Sequence, residues 1–190
     1  FLGILEAVGL SPDRVKQVRV GYDPRILTEG QVDILAVFVS NEPDTLRSLG
    51  FDVRLFDPND FGIPALGLTY ITTREMVEEE PETVERFLKA VLHGIEYAMD
   101  NREEAIDIVL KYAPQEEREH QRFMMDTEMG RAVTDLTEEN GLGWQTLDQW
   151  SALHDTLVEF DAIAQPIDVS QAFTNEFIER IYDHGELVWP

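Results

Sequence analysis

Three short stretches of this 190-residue chain place polar and aromatic side chains where apolar runs stop. They are Gly21-Tyr22-Asp23, Ser40-Asn41-Glu42, and Asp57 through Gly62 with Phe61 among them. Such a set can grip a small molecule by its edge. A carboxylate accepts from a ring amine or N–H, an amide both donates and accepts, and a hydroxyl does either. Tyr22 and Phe61 add flat apolar faces on which a ring can stack. The same positions also suit turn formers: Asp23, Asn41 and Asp57 read equally well as N-caps, with a proline beside each loop. Three polar strand ends on one edge tilt the reading towards a small-molecule cleft, because open α/β sheets bind ligands outside the carboxyl ends of their strands. The candidate ligand-binding residues are therefore Tyr22, Asp23, Ser40, Asn41, Glu42 and Phe61.

Other chemistry is thin. No GxSxG elbow, Walker A loop or GxGxxG fingerprint occurs. His93, His120, His154 and His184 sit on separate segments without HxxxH or HExxH spacing, so no metal site is expected from them. Glu78-Glu79-Glu80 lies near a helix start, where the macrodipole favours carboxylates, and reads as a solvated helix end. There is no cysteine, which removes disulfides, thiolate metal sites and cysteine nucleophiles from this stretch. The expectation is a chain with no catalytic set, no metal and no cofactor.

Charge narrows the partners. Fifteen basic against 38 acidic residues give a net charge of −23, a field that repels nucleic-acid phosphates and anionic lipid. No run of about 18 apolar residues is present to span a bilayer. The opening "FLGILEAVGLSPDRV" reads as a helix already in progress with no N-cap before Phe1, so the natural protein is expected to extend upstream.

The elements that must position the candidate residues fall into two styles. Strand-like runs at 16–21, 34–39 and 52–56, with a further run at 66–73, alternate with short helical pieces, which predicts an α/β unit with a parallel sheet. "EPDTLRSLG" is expected to be one such helix, with Pro43 in its first turn and Gly50 at its end. From about residue 72 the pattern turns helical. Thr72 and Glu75 have capping-box spacing. Val84, Phe87, Leu88, Val91, Leu92 and Ile95 fall on one helical stripe. Further helices are expected from Asn101 to Pro114, over 116–133, after Thr146 and after Ser170.

Particular motifs carry a resemblance. Gly30-Gln31-Val32-Asp33, Asn41-Glu42-Pro43 and Gly50-Phe51-Asp52-Val53, with Pro81-Glu82-Thr83-Val84, Phe87-Leu88-Lys89-Ala90 and Ala172-Phe173-Thr174-Asn175-Glu176-Phe177, resemble the NMT1/THI5-like family of solute-binding proteins, its thiamine-pyrimidine and riboflavin branch in particular. The resemblance implies a type II periplasmic-binding-protein fold, two α/β lobes with ligand between them, working outside the cytoplasmic membrane with an ABC permease. It implies that residues 1–65 are most of the second lobe. Residues 66–190 are then the crossover strand and late helices of a partly missing first lobe. Membrane association comes only through the permease or a missing N-terminal anchor.

On this likeness Glu42 and Asn41 face an aminopyrimidine of the thiamine-precursor kind, with riboflavin the alternative ligand. A sulfonate, taurine or nitrate ligand wants arginine or helix N-termini, and only Arg25 and Arg47 lie near. An enzyme like the fungal pyrimidine synthases that share the fold needs a cysteine-rich metal motif, which this chain lacks.

Overall fold

The computed structural model describes residues 1–189. Two compact units make up the chain, each assembled from separated segments on both sides of residue 65.

The first unit takes in residues 1–18, 55–89 and 135–190. Its helices are α1 (Leu2–Ala7), α4 (Arg74–Glu79), the first half of α5 (Pro81–Asp100), α8 (Asp135–Asn140), α9 (Leu147–Glu159) and α10 (Glu176–Ile181). Local chemistry explains the ends. Thr146 accepts from the N–H of Gln149, whose side chain returns a bond to the Thr146 backbone, so two orphan donors at the start of α9 are satisfied reciprocally. α4 starts one residue later than the spacing predicts, because it is Thr73 that accepts from the Met76 N–H. Ser170 does not cap the last helix. It lies in a single 3₁₀ turn, Val169–Gln171, capped by Asp168, and α10 begins only after Asn175. Phe177, Ile178 and Ile181 of α10 are buried with Tyr182. β1 (Tyr182–Asp183) and β2 (Glu186–Leu187) form an antiparallel hairpin. Its two turn residues, His184 and Gly185, both have positive φ, which matches the twist of a two-residue hairpin. Trp150 of α9 stacks on Phe173 with centroids 5.6 Å apart. Tyr70 meets Phe87 edge-on.

The second unit takes in residues 19–54 and 90–134. It holds α2 (Arg25–Thr28), α3 (Glu42–Ser48), the second half of α5, α6 (Arg102–Tyr112) and α7 (Arg118–Ala132). Leu46, Leu92, Ala105 and the fully buried Ile106 form its core. α3 covers the expected stretch, with Pro43 in its first turn and Gly50 at positive φ just beyond its end. Asn101 precedes α6 as expected but makes no side-chain cap; its amide donates back to the Tyr97 carbonyl. α6 and α7 pack as an antiparallel pair. Arg118 bonds Asp107 and Glu103, Arg122 bonds Glu103, and Arg102 bonds Asp126, a ladder running in opposite directions along the two helices. These pairs are exposed, so they set register more than they add stability.

The parallel sheet is where the structure departs from expectation. Residues 16–21, 34–39 and 52–56 run outside any strand ladder, as does 66–73, and the only β pairing among the described residues is β1 with β2. A strand exists by exchanging N–H and C=O bonds with a neighbour. Among the described residues none of these segments is paired into a strand ladder. Their apolar side chains are left outside, with Phe38 61% exposed and Val18, Val20, Ile34 and Phe56 also open. Among the described residues no helix is long and apolar enough to cross a membrane.

Candidate ligand-binding site

The turn at Ser40-Asn41-Glu42 is held on three sides. Its backbone closes when the Asn41 N–H donates to the Phe38 carbonyl at 3.0 Å. The Glu42 carboxylate then accepts from the Phe38 N–H through Oε2 at 2.9 Å. Ser40 is 3% exposed. A hydroxyl that deep needs a partner, and its Oγ donates to Glu128 of α7. The third support is His120, also on α7. Its Nδ1 lies 2.7 Å from Asp44 Oδ2 and its Nε2 lies 3.0 Å from Asn41 Oδ1. His120 and Glu128 are eight residues apart, so both project from one face of α7, and that face meets the turn.

Two polar atoms of the turn remain uncommitted. Among the described residues, Asn41 Nδ2 and Glu42 Oε1 have no hydrogen-bond partner. No deeply buried side-chain polar atom there lacks a partner, so both atoms are reached by solvent. The turn therefore offers one amide donor and one carboxylate acceptor on consecutive residues. An edge of that kind complements a planar ring carrying an acceptor beside a donor.

The other expected residues behave differently. Tyr22 is 97% exposed. Asp23 is spent on Arg25, which donates to it from the backbone N–H at 3.0 Å and from the guanidinium at 2.9 Å. That side-chain bond, reinforced by the backbone one, holds the Asp23 carboxyl down at about 2. Phe61 belongs to the first unit, in the 3₁₀ turn Pro58–Phe61, where its ring tilts against Phe56 at 6.4 Å. Asp57 caps that turn by accepting from the Asn59 N–H at 3.0 Å. Thus Ser40, Asn41 and Glu42 are held together in one turn, while Asp23 and Asp57 bond within their own turns.

Sequence reasoning missed Asp44 and Glu128 and weighed His120 only as a metal ligand. The i, i+4, i+8 spacing of His120, Met124 and Glu128 was a usable signal, since it sets two polar groups on one helix face. Their partners lie 76 to 88 residues away and leave no local trace. Among the described residues no three His, Asp or Glu side chains group as a metal site.

Comparison with known proteins gives consistent results. The family model described as NMT1/THI5 like matches residues 1–105, a range that includes the turn. The chain is 28% identical over 183 residues to the riboflavin-binding protein RibY of Chloroflexus aurantiacus, covering 94% of this chain and 52% of that protein. It is 24% identical over 176 residues to the formylaminopyrimidine-binding protein of Halalkalibacterium halodurans, covering 90% of this chain and 53% of that protein. The chain spans about half the length of the curated relatives it matches.

Proposed function

This chain belongs to the NMT1/THI5-like family, whose fold is that of periplasmic binding proteins, and from that premise we propose that it is part of an extracytoplasmic solute-binding protein delivering its ligand to an ABC permease. The observation that carries the reading is the likeness, across at least nine-tenths of the chain, to two proteins that are both named as binders of nitrogen-rich rings. Neither carries an enzyme's name, and the role proposed is binding without catalysis.

The ligand proposed is an aminopyrimidine of the thiamine-precursor kind. Glu42 Oε1 accepts from its exocyclic amine or ring N–H, and Asn41 supplies a donor. Tyr22 and Phe61 are stacking candidates in the intact protein. Riboflavin is the second reading, favoured by the likeness to the riboflavin-binding relative; its ring edge also sets carbonyl oxygens beside an N–H. On this proposal residues 1–65 contribute to one lobe and 66–190 to the crossover and late helices of the other. The runs at 16–21, 34–39 and 52–56 then pair in the parallel sheet of the intact protein, which gives their exposed apolar side chains a place to be buried. The two compact units described above interleave these ranges, and a structure of the intact protein decides the division.

Mass spectrometry of small molecules released from intact protein, purified without refolding, tests the ligand class. A pyrimidine or flavin is expected, and a sulfonate or nitrate overturns the assignment. Glu42→Gln tests the contact itself. The glutamine carbonyl can still accept from the Phe38 N–H, so the turn keeps its shape while the charge is lost. A charge-assisted hydrogen bond contributes about 1.5 to 3 kcal/mol, so affinity by calorimetry is expected to fall about ten- to a hundredfold. Unchanged affinity with a lowered melting temperature would make Glu42 a turn closer only.

A further inference from the structure

The turn that carries Asn41 and Glu42 is anchored unequally on its two sides. Downstream, Pro43 and Leu46 are fully buried and fasten α3 to the core of its unit. Upstream, the run 34–39 lies outside any strand ladder and Phe38 is 61% exposed, so burial does little to hold it. Sheet pairing in the intact protein would secure that run only as far as Val39. The fixed point next to the turn is Ser40. Its hydroxyl is 3% exposed and carries a single proton, which it donates to the Glu128 carboxylate, a group that when ionised only accepts. A hydroxyl so enclosed is closed to a ligand, and its bond to a carboxylate belongs to the stronger, charge-assisted kind. Glu128 rests on a helix that is itself held in place. Two residues before it, Asp126 pairs with Arg102 of α6 at 2.8 Å, and Arg118 and Arg122 tie the early turns of α7 to Glu103.

We infer that Glu128 is a positioning residue: through the buried Ser40 hydroxyl it fixes the upstream side of the turn, and so sets where Asn41 and Glu42 meet a ligand. The inference rests on the solute-binding reading and divides the three residues of the turn by role. Asn41 and Glu42 contact the ligand, while Ser40 is the peg that joins them to α7. Held in this way, the turn is already ordered before a ligand arrives, which lowers the cost of binding. Cutting the peg leaves both contact residues in the chain but lets the turn wander.

The test is a double-mutant cycle on the intact protein, titrated by calorimetry with riboflavin and with a formylaminopyrimidine, each variant also melted by circular dichroism. Ser40→Ala and Glu128→Ala each remove the bond, and each is expected to weaken binding about tenfold at temperatures well below its melt. The double variant should bind within about twofold of the weaker single one, since the second change removes nothing further. Glu128→Gln keeps a carbonyl oxygen for the same hydroxyl and should stay within about threefold of the unmodified protein. Full additivity in the cycle, or a Ser40→Ala protein that melts earlier yet binds as before, overturns the positioning role and leaves the solute-binding reading standing. Glu128→Gln binding as weakly as Glu128→Ala overturns it too, because the charge would then act on the ligand and not through Ser40. If the unmodified protein takes neither ligand, that reading fails, and the inference with it.

Discussion

The turns at Asp57 and at Ser40 begin from similar material, a polar residue after an extended apolar run and a proline close behind, and they are held in opposite ways. Asp57 closes on its own neighbour, accepting from the Asn59 N–H two residues on. The Ser40 turn is fastened by α7, across 88 residues through Glu128 and 79 through His120. A turn whose cap comes from its own second neighbour is closed locally. One that is clamped from outside is held in place while some of its polar atoms stay open, as Asn41 Nδ2 and Glu42 Oε1 do among the described residues. Preorganised polar atoms of that sort are what a binding site requires.

The contrast can be broken or sharpened experimentally, beginning where the effect is largest. Ile106 is fully buried in α6, the helix on which α7 rests. Ile106→Ala is expected to lower stability by about 2 to 5 kcal/mol in denaturant titrations, and to loosen the clamp together with its support. A loss near zero would mean that the α6–α7 pair does not depend on that core.

Next comes Ser40→Ala, which strips the Glu128 carboxylate of its donor and should cost about 1 to 3 kcal/mol. Paired with Glu128→Gln, it should show a clear coupling energy, whereas strict additivity would dissolve the distinction between the two turns. Asp57→Ala removes the cap on the Asn59 N–H, with an expected loss of about 1 kcal/mol. That loss should add independently to any change at Ser40.

Smallest is Asp23, whose pairing with Arg25 lies at the exposed surface. Asp23→Asn should leave the melting temperature at neutral pH unmoved within error. Its signature lies in acid. Because the folded-state value is depressed to about 2, the pairing favours the fold above the ordinary carboxylate value near 4. That contribution is lost as pH falls towards about 2. A carboxyl titration followed by NMR with its midpoint near 4 would show the pair to be unformed in solution.

The parts of this molecule governed by neighbours in sequence were legible before its structure. α3, α7 and α9 stand close to where their apolar spacing, proline and caps put them, and the Thr146–Gln149 box is the clearest case. Ser170 misled because Asp168, two residues earlier, captures its backbone N–H and makes a 3₁₀ turn instead of a helix start. The strand-like runs misled for another reason. Val18, Val20 and Phe38 have the composition of buried strands, but a strand is completed by a partner, and composition does not supply one. At the site, Ser40, Asn41 and Glu42 were readable as polar residues at the end of an apolar run. The residues that clamp them were not, because a histidine on a helix carries no mark of what it will meet 79 residues away.

The antiparallel pairing of α6 with α7 also bears on the order in which this region assembles. Its ion-pair ladder joins residues only 11 to 24 apart, so the two helices find each other by closing a short loop. The contacts from α7 to Ser40 and Asn41 close loops of 88 and 79 residues, and the entropy of such closure must be overcome before the contacts contribute. The helical pair therefore forms early and the clamped turn late. In the native state the sequence reverses: a partial opening that costs less than global unfolding releases the turn first and leaves α6 and α7 folded. Amide exchange at Asn41 and Glu42 would then report on that local opening, while exchange within α7 reports on the whole unit.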